Sequence, residues 1–253
     1  CADRLNPPFH IADSILGPEN CRRLGIRSKD DLPPGTVGLV GSLIAAVTHA
    51  PCIVVGGGLI NGNRRTYGPD CEIRAVRGFL TKTTIMRDAG QNPEVIGDPG
   101  LLLAEIEPAP EVHDRKPLGF IVHAQDREMF LDRYPQHAQD IVDNYAPREE
   151  FVRQLAECEM IASTSLHGCI FAHSYGVPVA PFVLSDQLYG GDFKFQDHYS
   201  ALGFDVQRRN MPETIDKIVS IIDSTPQPDD KQLQRLVDRQ WTVIREALTS
   251  TGG

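Results

Sequence analysis

Short apolar runs recur along this chain, each ending in glycine, a charged residue or a hydroxyl-rich turn before a more helical stretch begins. Strand-length runs alternating with helical segments are the mark of α/β layers built around parallel sheets. In the first half, Val37–Val40, Cys52–Val55, Ile73–Val76 and Glu94–Ile96 read as strands. A short helix is expected after Gly41-Ser42 through Val47, and another over Thr81–Ala89, closed by Gly90. Glu105–Lys116, proline-bearing and mostly charged or small, reads as a linker.

A second unit opens with a strand at Pro117–Val122 and a short strand at Ile141–Val142. Pro147–Cys158 is expected to be a helix, because Phe151, Val152 and Leu155 repeat at helical spacing. Met160–Ala162 and Val179–Val183 are further strands, separated by a helix that Gly176 and Pro178 stop. After Pro226-Gln227-Pro228 a final helix is expected over Asp230–Leu248. Its apolar face is Leu233, Leu236, Val237, Ile244, Ala247 and Leu248, with Trp241 at the flank. The pattern divides the chain into residues 1–110, residues 117–225 and a closing helix at 229–248.

The stretch Ile161-Ala162-Ser163-Thr164-Ser165-Leu166-His167-Gly168 carries the most chemistry. It places a helix mouth directly after a strand, and such a mouth offers unpaired N–H groups and a positive dipole end to phosphate or carboxylate. The imidazole of His167, which titrates near neutral pH, sits there and can exchange a proton with a bound group. The alternative is a helix cap whose histidine only packs. Gly56-Gly57-Gly58, Arg77, Asp98 and His123 also fall just after expected strands, where open α/β sheets bind ligands.

Composition narrows the field. Hydrophobic residues at 41% and charged ones at 23% describe a globular protein, and no apolar run approaches a membrane span. A net charge of −9 argues against nucleic acid as a partner, although Arg64, Arg65, Arg74, Arg77 and Lys194 can line a local anion pocket. The six cysteines, Cys1, Cys21, Cys52, Cys71, Cys158 and Cys169, form no C-x-x-C pair, and no cluster has metal-site spacing. No metal and no cofactor are expected. Cys52, Cys158 and Cys169 lie in apolar runs and read as buried thiols. The given chain shows no secretory signal, which points to a reducing, cytoplasmic setting.

Ser165-Leu166-His167-Gly168, followed by an apolar helix and Tyr175-Gly176-Val177-Pro178, resembles the signature of the polysaccharide pyruvyltransferase family. Four further stretches resemble the same family in the same order. They are Val76-Arg77-Gly78 with Thr81, Gly97-Asp98-Pro99-Gly100-Leu101-Leu102, Gly119-Phe120-Ile121-Val122-His123, and Phe193-Lys194-Phe195-Gln196-Asp197-His198-Tyr199. The resemblance runs from about Val37 to Leu202 and implies a strand before Asp3-Arg4-Leu5-Asn6. It implies a GT-B-like architecture of two Rossmann-like, doubly wound domains around a cleft, the acceptor on the first and the donor on the second.

The activity implied is transfer of the enolpyruvyl group of phosphoenolpyruvate to a sugar of a bacterial exopolysaccharide repeat unit, closed into a ketal. The acceptor implied is a lipid-linked oligosaccharide, at the inner face of the cytoplasmic membrane. His167 matches the family histidine and is the expected general acid. Ser165, Leu166 and Gly168 surround the donor, and Arg77 is expected on its carboxylate or phosphate unless it serves a salt bridge to Asp98. Many members carry arginine where this chain has Ser165, so Lys194 is the candidate substitute, or else a surface lysine between packing aromatics. His123 either orients the acceptor or caps a strand. Gly57 and Gly58 either approach the sugar or let two segments pack, and Asp98 either meets substrate or fixes a turn. A glycosyltransferase using a nucleotide sugar is the alternative activity, but no clear ribose-binding carboxylate follows the glycine run. A non-catalytic sugar-binding protein is a third reading, for which one Trp and 7% aromatic residues are thin.

Overall fold

The computed structural model describes residues 36–38, 44, 52–186 and 190–250. Leu39, Val40, the expected helix up to Val47 apart from Ile44, Cys1, Cys21 and the Asp3–Asn6 element lie outside the described residues.

The first half is a parallel layer. Strands β1 (Thr36–Gly38), β2 (Cys52–Val54) and β3 (Cys71–Ile73) pair in that order, and β4 (Ala75–Val76) pairs with β5 (Val95–Ile96). The single strand expected at Ile73–Val76 is broken at Arg74, but backbone bonds carry the pairing onward. Gly56 N donates to Ala75 O at 2.9 Å, Arg77 N to Gly57 O at 2.9 Å and Gly97 N to Val76 O at 2.9 Å. Helix α1 (Phe79–Ala89) follows β4 and stops at Gly90, whose φ of 66° is the left-handed closure that glycine permits. The expected linker begins inside a helix, since α2 (Leu103–Ile106) runs into it.

The second half is a parallel sheet in the order β6 (Gly119–Ile121), β7 (Ile161–Ser163), β8 (Val179–Val183), β9 (Arg209–Asn210). The short strand expected at Ile141–Val142 is one bridge, pairing Ile141 with Phe120 on the other side of β6. The chain thus leaves β6 on one flank and returns to β7 on the other, which creates a topological switch point between their carboxyl ends. The connections are α3 (Arg127–Arg133) and α4 (Arg148–Ala156), then α5 (Leu166–Ser174), then α6 (Phe193–Ala201). Helix α7 (Ile215–Ser224) follows β9, and α8 (Asp230–Ser250) closes the described chain. The sequence pattern missed α3, α6 and α7.

Both halves share one apolar core. Val55, Ala75 and Leu101–Leu103 pack in one cluster with Ile121, Phe151, Ile170 and Phe171 from the second sheet. Val237, Ile244 and Ala247 of α8 join that cluster, so the last helix returns to the first half. Its buried face also holds Gln240, a polar residue on the apolar stripe. Cys52, Cys158 and Cys169 are buried as expected, and so is Cys71, whose Sγ lies 3.5 Å from that of Cys52. No helix among the described residues is long and apolar enough to cross a membrane.

Helices α5 and α6 meet through two buried histidines, with His173 Nδ1 3.0 Å from His198 Nε2. Burial brings the His173 imidazolium pKa down to about 3, and burial with His173, Arg77 and His167 holds that of His198 well below its ordinary value. Both rings are therefore neutral in the fold. Below the unfolded value of about 6.5 the unfolded chain takes up protons that the folded one refuses. Stability is full above that value and lost progressively as pH falls towards about 3. Between pH 7.5 and 5 each histidine is expected to cost about 2 kcal/mol. Urea melts at the two pH values check this, and coincident midpoints would refute it.

Candidate functional site

The turn after β7 is built by a serine that faces inward. Ser163 Oγ donates to Ser165 O at 2.8 Å or Ile121 O at 3.1 Å, and accepts from Ser165 N at 3.1 Å. Ser165 then stands in extended backbone as the N-cap of α5, its side chain capping none of the first-turn N–H groups. Gly168 lets the first turn lie close to the sheet, since a Cβ there would sit 2.3 Å from Ser163 Oγ and 2.6 Å from Ile121 Cγ2. This seating fixes His167, whose ring stacks on Phe171 one turn later at 5.8 Å. Its Nε2 is buried with no hydrogen-bond partner among the described residues.

Three charged groups act on that imidazole. Burial lowers its pKa, Asp98 raises it, and Arg77 and Lys194 lower it again. Asp98 is fully buried at the carboxyl end of β5, where Oδ1 accepts from Gly100 N at 2.9 Å and caps the turn at Pro99–Leu102. Its Oδ2 has no hydrogen-bond partner among the described residues. Burial raises its pKa, against the pull of His167 and Arg77. Of the two roles expected for Asp98, the geometry displays the turn, which Oδ1 fixes. Behind it, Gln240 Nε2 donates to Gly97 O at 2.8 Å.

Arg77 is fully buried, and its partner is Asp197 rather than Asp98. Its Nε meets Asp197 Oδ2 at 2.9 Å, and Nη2 donates to Leu59 O at 2.7 Å. Asp197 also accepts from Thr81 N at 2.8 Å and from Thr81 Oγ1 at 2.6 Å. Two sequence motifs 120 residues apart are the two halves of one clasp joining α1 to α6. The glycines serve it: a Cβ on Gly58 would lie 2.2 Å from Arg77 Cζ, and Gly57 O accepts Arg77 N. Of the two roles expected for Gly57 and Gly58, the geometry displays packing.

Lys194 is no surface lysine. Only 8% exposed, it has its pKa brought down to about 8 by burial, with Arg208 and Arg77 adding to the shift. His123 caps the short turn Ala124–Asp126, its Nδ1 accepting from Gln125 N at 3.3 Å, so the neutral ring carries its proton on Nε2. Its backbone N donates to Thr164 Oγ1 at 2.9 Å across the switch point. Burial, Lys194 and His167 lower its pKa, against Asp126. Electrostatic influence ties His167 to Asp98, Arg77 and Lys194, and His123 to Lys194 and His167, so these five residues form one candidate site.

The other expected cations lie elsewhere. Arg74 pairs with Glu72 at 2.8 Å and lines a groove of about 690 Å³ with Asn92, Glu94, Asp238 and Glu246, away from His167. Arg65 binds Asn61, and Arg64 is exposed. Sequence reasoning missed Asp126, which is buried and accepts from Ser185 Oγ, and also Arg208 and the acceptor role of Asp197. Only the Phe193–Tyr199 motif hinted at any of them. Among the described residues no group of three or more acidic, histidine or cysteine side chains can hold a metal.

Residues 43–186 match the polysaccharide pyruvyl transferase family. The chain is 31% identical over 181 residues to an uncharacterized protein of Acanthamoeba polyphaga mimivirus, covering 66% of this chain and 60% of that one. It is 28% identical over 185 residues to the succinoglycan biosynthesis protein ExoV of Rhizobium meliloti (strain 1021), covering 70% of this chain and 55% of ExoV. The alignments thus span less than two thirds of either relative. The family match takes in β2 through β8 and with them Arg77, Asp98, His123 and His167, and on that match the chain belongs to the polysaccharide pyruvyl transferase family.

Proposed function

We propose that this chain transfers the enolpyruvyl group of phosphoenolpyruvate to a sugar of an exopolysaccharide repeat unit, forming a ketal and releasing phosphate. The observation that carries the reading is the buried, unpartnered Nε2 of His167 at the mouth of α5, among Asp98, Arg77 and Lys194. Burial and the two cations keep that ring neutral. A donor bearing phosphate and carboxylate offsets those cations, so binding itself charges the imidazole. The imidazolium then protonates the methylene carbon of the donor. A sugar hydroxyl adds to the resulting cationic carbon, phosphate leaves, and a second hydroxyl closes the ring. Asp98 favours the protonated ring electrostatically. Lys194 and the N–H groups of Leu166 and Gly168 hold the phosphate, Ser165 adds a hydroxyl, and His123 orients the acceptor. Arg77 adds its charge from within the clasp.

Under this reading the two sheets are the two units of a GT-B-like frame, with a lipid-linked oligosaccharide acceptor at the cytoplasmic membrane face. Phosphate release from phosphoenolpyruvate with a panel of such oligosaccharides tests the reaction. Phosphoenolpyruvate is expected to raise the melting temperature, because a ligand bound only by the folded state stabilises it. Lys194→Ala is expected to weaken donor binding ~10-fold or more, as for a lost charged hydrogen bond, and Lys194→Arg to recover much of it. Protection by UDP-sugars and not by phosphoenolpyruvate would instead assign a glycosyltransferase.

A further inference from the structure

We infer that Arg208 is the second cation of the donor's phosphate subsite, packed with Lys194 over the ring of Phe195. This rests on the proposed function. Phe195 is fully buried, with Lys194 Nζ 5.7 Å and Arg208 Cζ 4.9 Å from its ring centroid. The flat guanidinium is held by that ring and by one ion pair, Nε to Asp192 Oδ1 at 2.5 Å. Its side chain is 8% exposed while that of Asp192 is 50% exposed, so the cation is the buried member of the pair. Its two terminal nitrogens make no hydrogen bond to the described residues, which leaves the edge suited to a bidentate anion open.

The charge balance points the same way. Lys194 and Arg208 press on one another, and Arg77 presses on Lys194 as well. Asp126 is the acid that answers Lys194, while Asp197 is committed to Arg77 and Thr81. Two buried cations over one aromatic ring, one of them, Lys194, also acting on the His167 imidazole, suit an incoming dianion.

The test is titration of the whole chain with inorganic phosphate, the leaving group itself, followed by calorimetry across pH. Arg208→Gln is expected to weaken phosphate binding ~10-fold or more. It should also move the alkaline limb of the binding curve upward, because Lys194 loses a like-charged neighbour. Arg208→Lys should restore part of the affinity, and Arg209→Gln, one residue on and exposed, none of the loss. Asp192→Asn provides a variant of opposite sign: freeing the guanidinium should tighten phosphate binding about threefold, whereas a structural ion pair predicts weakening or no change. That variant decides the matter should Arg208→Gln fail to fold. Unchanged phosphate affinity in a folded Arg208→Gln protein, or no tightening in Asp192→Asn, overturns the inference. Phosphate binding that needs Arg208 in a protein that never consumes phosphoenolpyruvate keeps the subsite and removes the pyruvyl reading.

Discussion

Replacing His167 by alanine is expected to slow turnover by ~10²–10⁴-fold, the usual contribution of a positioned general acid. Donor affinity should change far less, because the first-turn N–H groups of α5 and Lys194 remain in place. His167→Asn should behave like the alanine variant, since an amide hydrogen-bonds but cannot deliver a proton to carbon. Gly168 and Phe171 hold the helix mouth independently of the ring, so both variants should melt close to the parent. Steady-state rates beside calorimetric titration with phosphoenolpyruvate separate the two effects. A fully active His167→Ala protein would end the assignment.

Asp197→Ala is expected to destabilise the fold by about 3–5 kcal/mol, the range found when one partner of a buried ion pair is removed. The loss leaves the fully buried Arg77 guanidinium without its counter-charge and Thr81 without an acceptor. For a chain of this size that corresponds to a melting temperature lower by about 10 °C. The double variant Arg77→Met with Asp197→Leu should recover much of the loss, because a neutral pair carries no desolvation penalty. Such a protein would be folded yet lack one of the charges acting on His167. An Asp197→Ala protein that melts with the parent would show that the clasp contributes nothing to the fold.

The elements that read clearly in the sequence are those whose partners are local. Val179–Val183 is a continuous apolar run bounded by proline and serine, and it is β8 as expected. Helix α8 shows most of its apolar stripe, and α1 shows its glycine stop. What did not read is pairing over long range. Arg77 looks like any surface arginine until Asp197, 120 residues later, is placed beside it. Helix α6 hid because its buried face includes Lys194, Asp197 and His198, polar residues that erase the expected periodicity. Gln240 breaks the apolar stripe of α8 for the same reason, its partner being a carbonyl in β5's turn. The candidate residues His167, Asp98 and His123 stood out because they follow strands. Arg208 did not, because it lies in a polar stretch with no strand signal.

The return of α8 to the first sheet sets a schedule for biosynthesis. The carbonyl of Gly97 must wait 143 residues for the amide of Gln240. At about 5–20 residues per second of ribosomal elongation, that interval is roughly 7–30 s. Throughout it, Val55, Ala75 and Leu101–Leu103 emerge without the Val237, Ile244 and Ala247 that cover them later. The first sheet is therefore born sticky and becomes complete only when the final helix docks. Slower, cooler expression or a holdase that shields nascent apolar strands should raise the yield of folded protein more than any gain in local helix propensity.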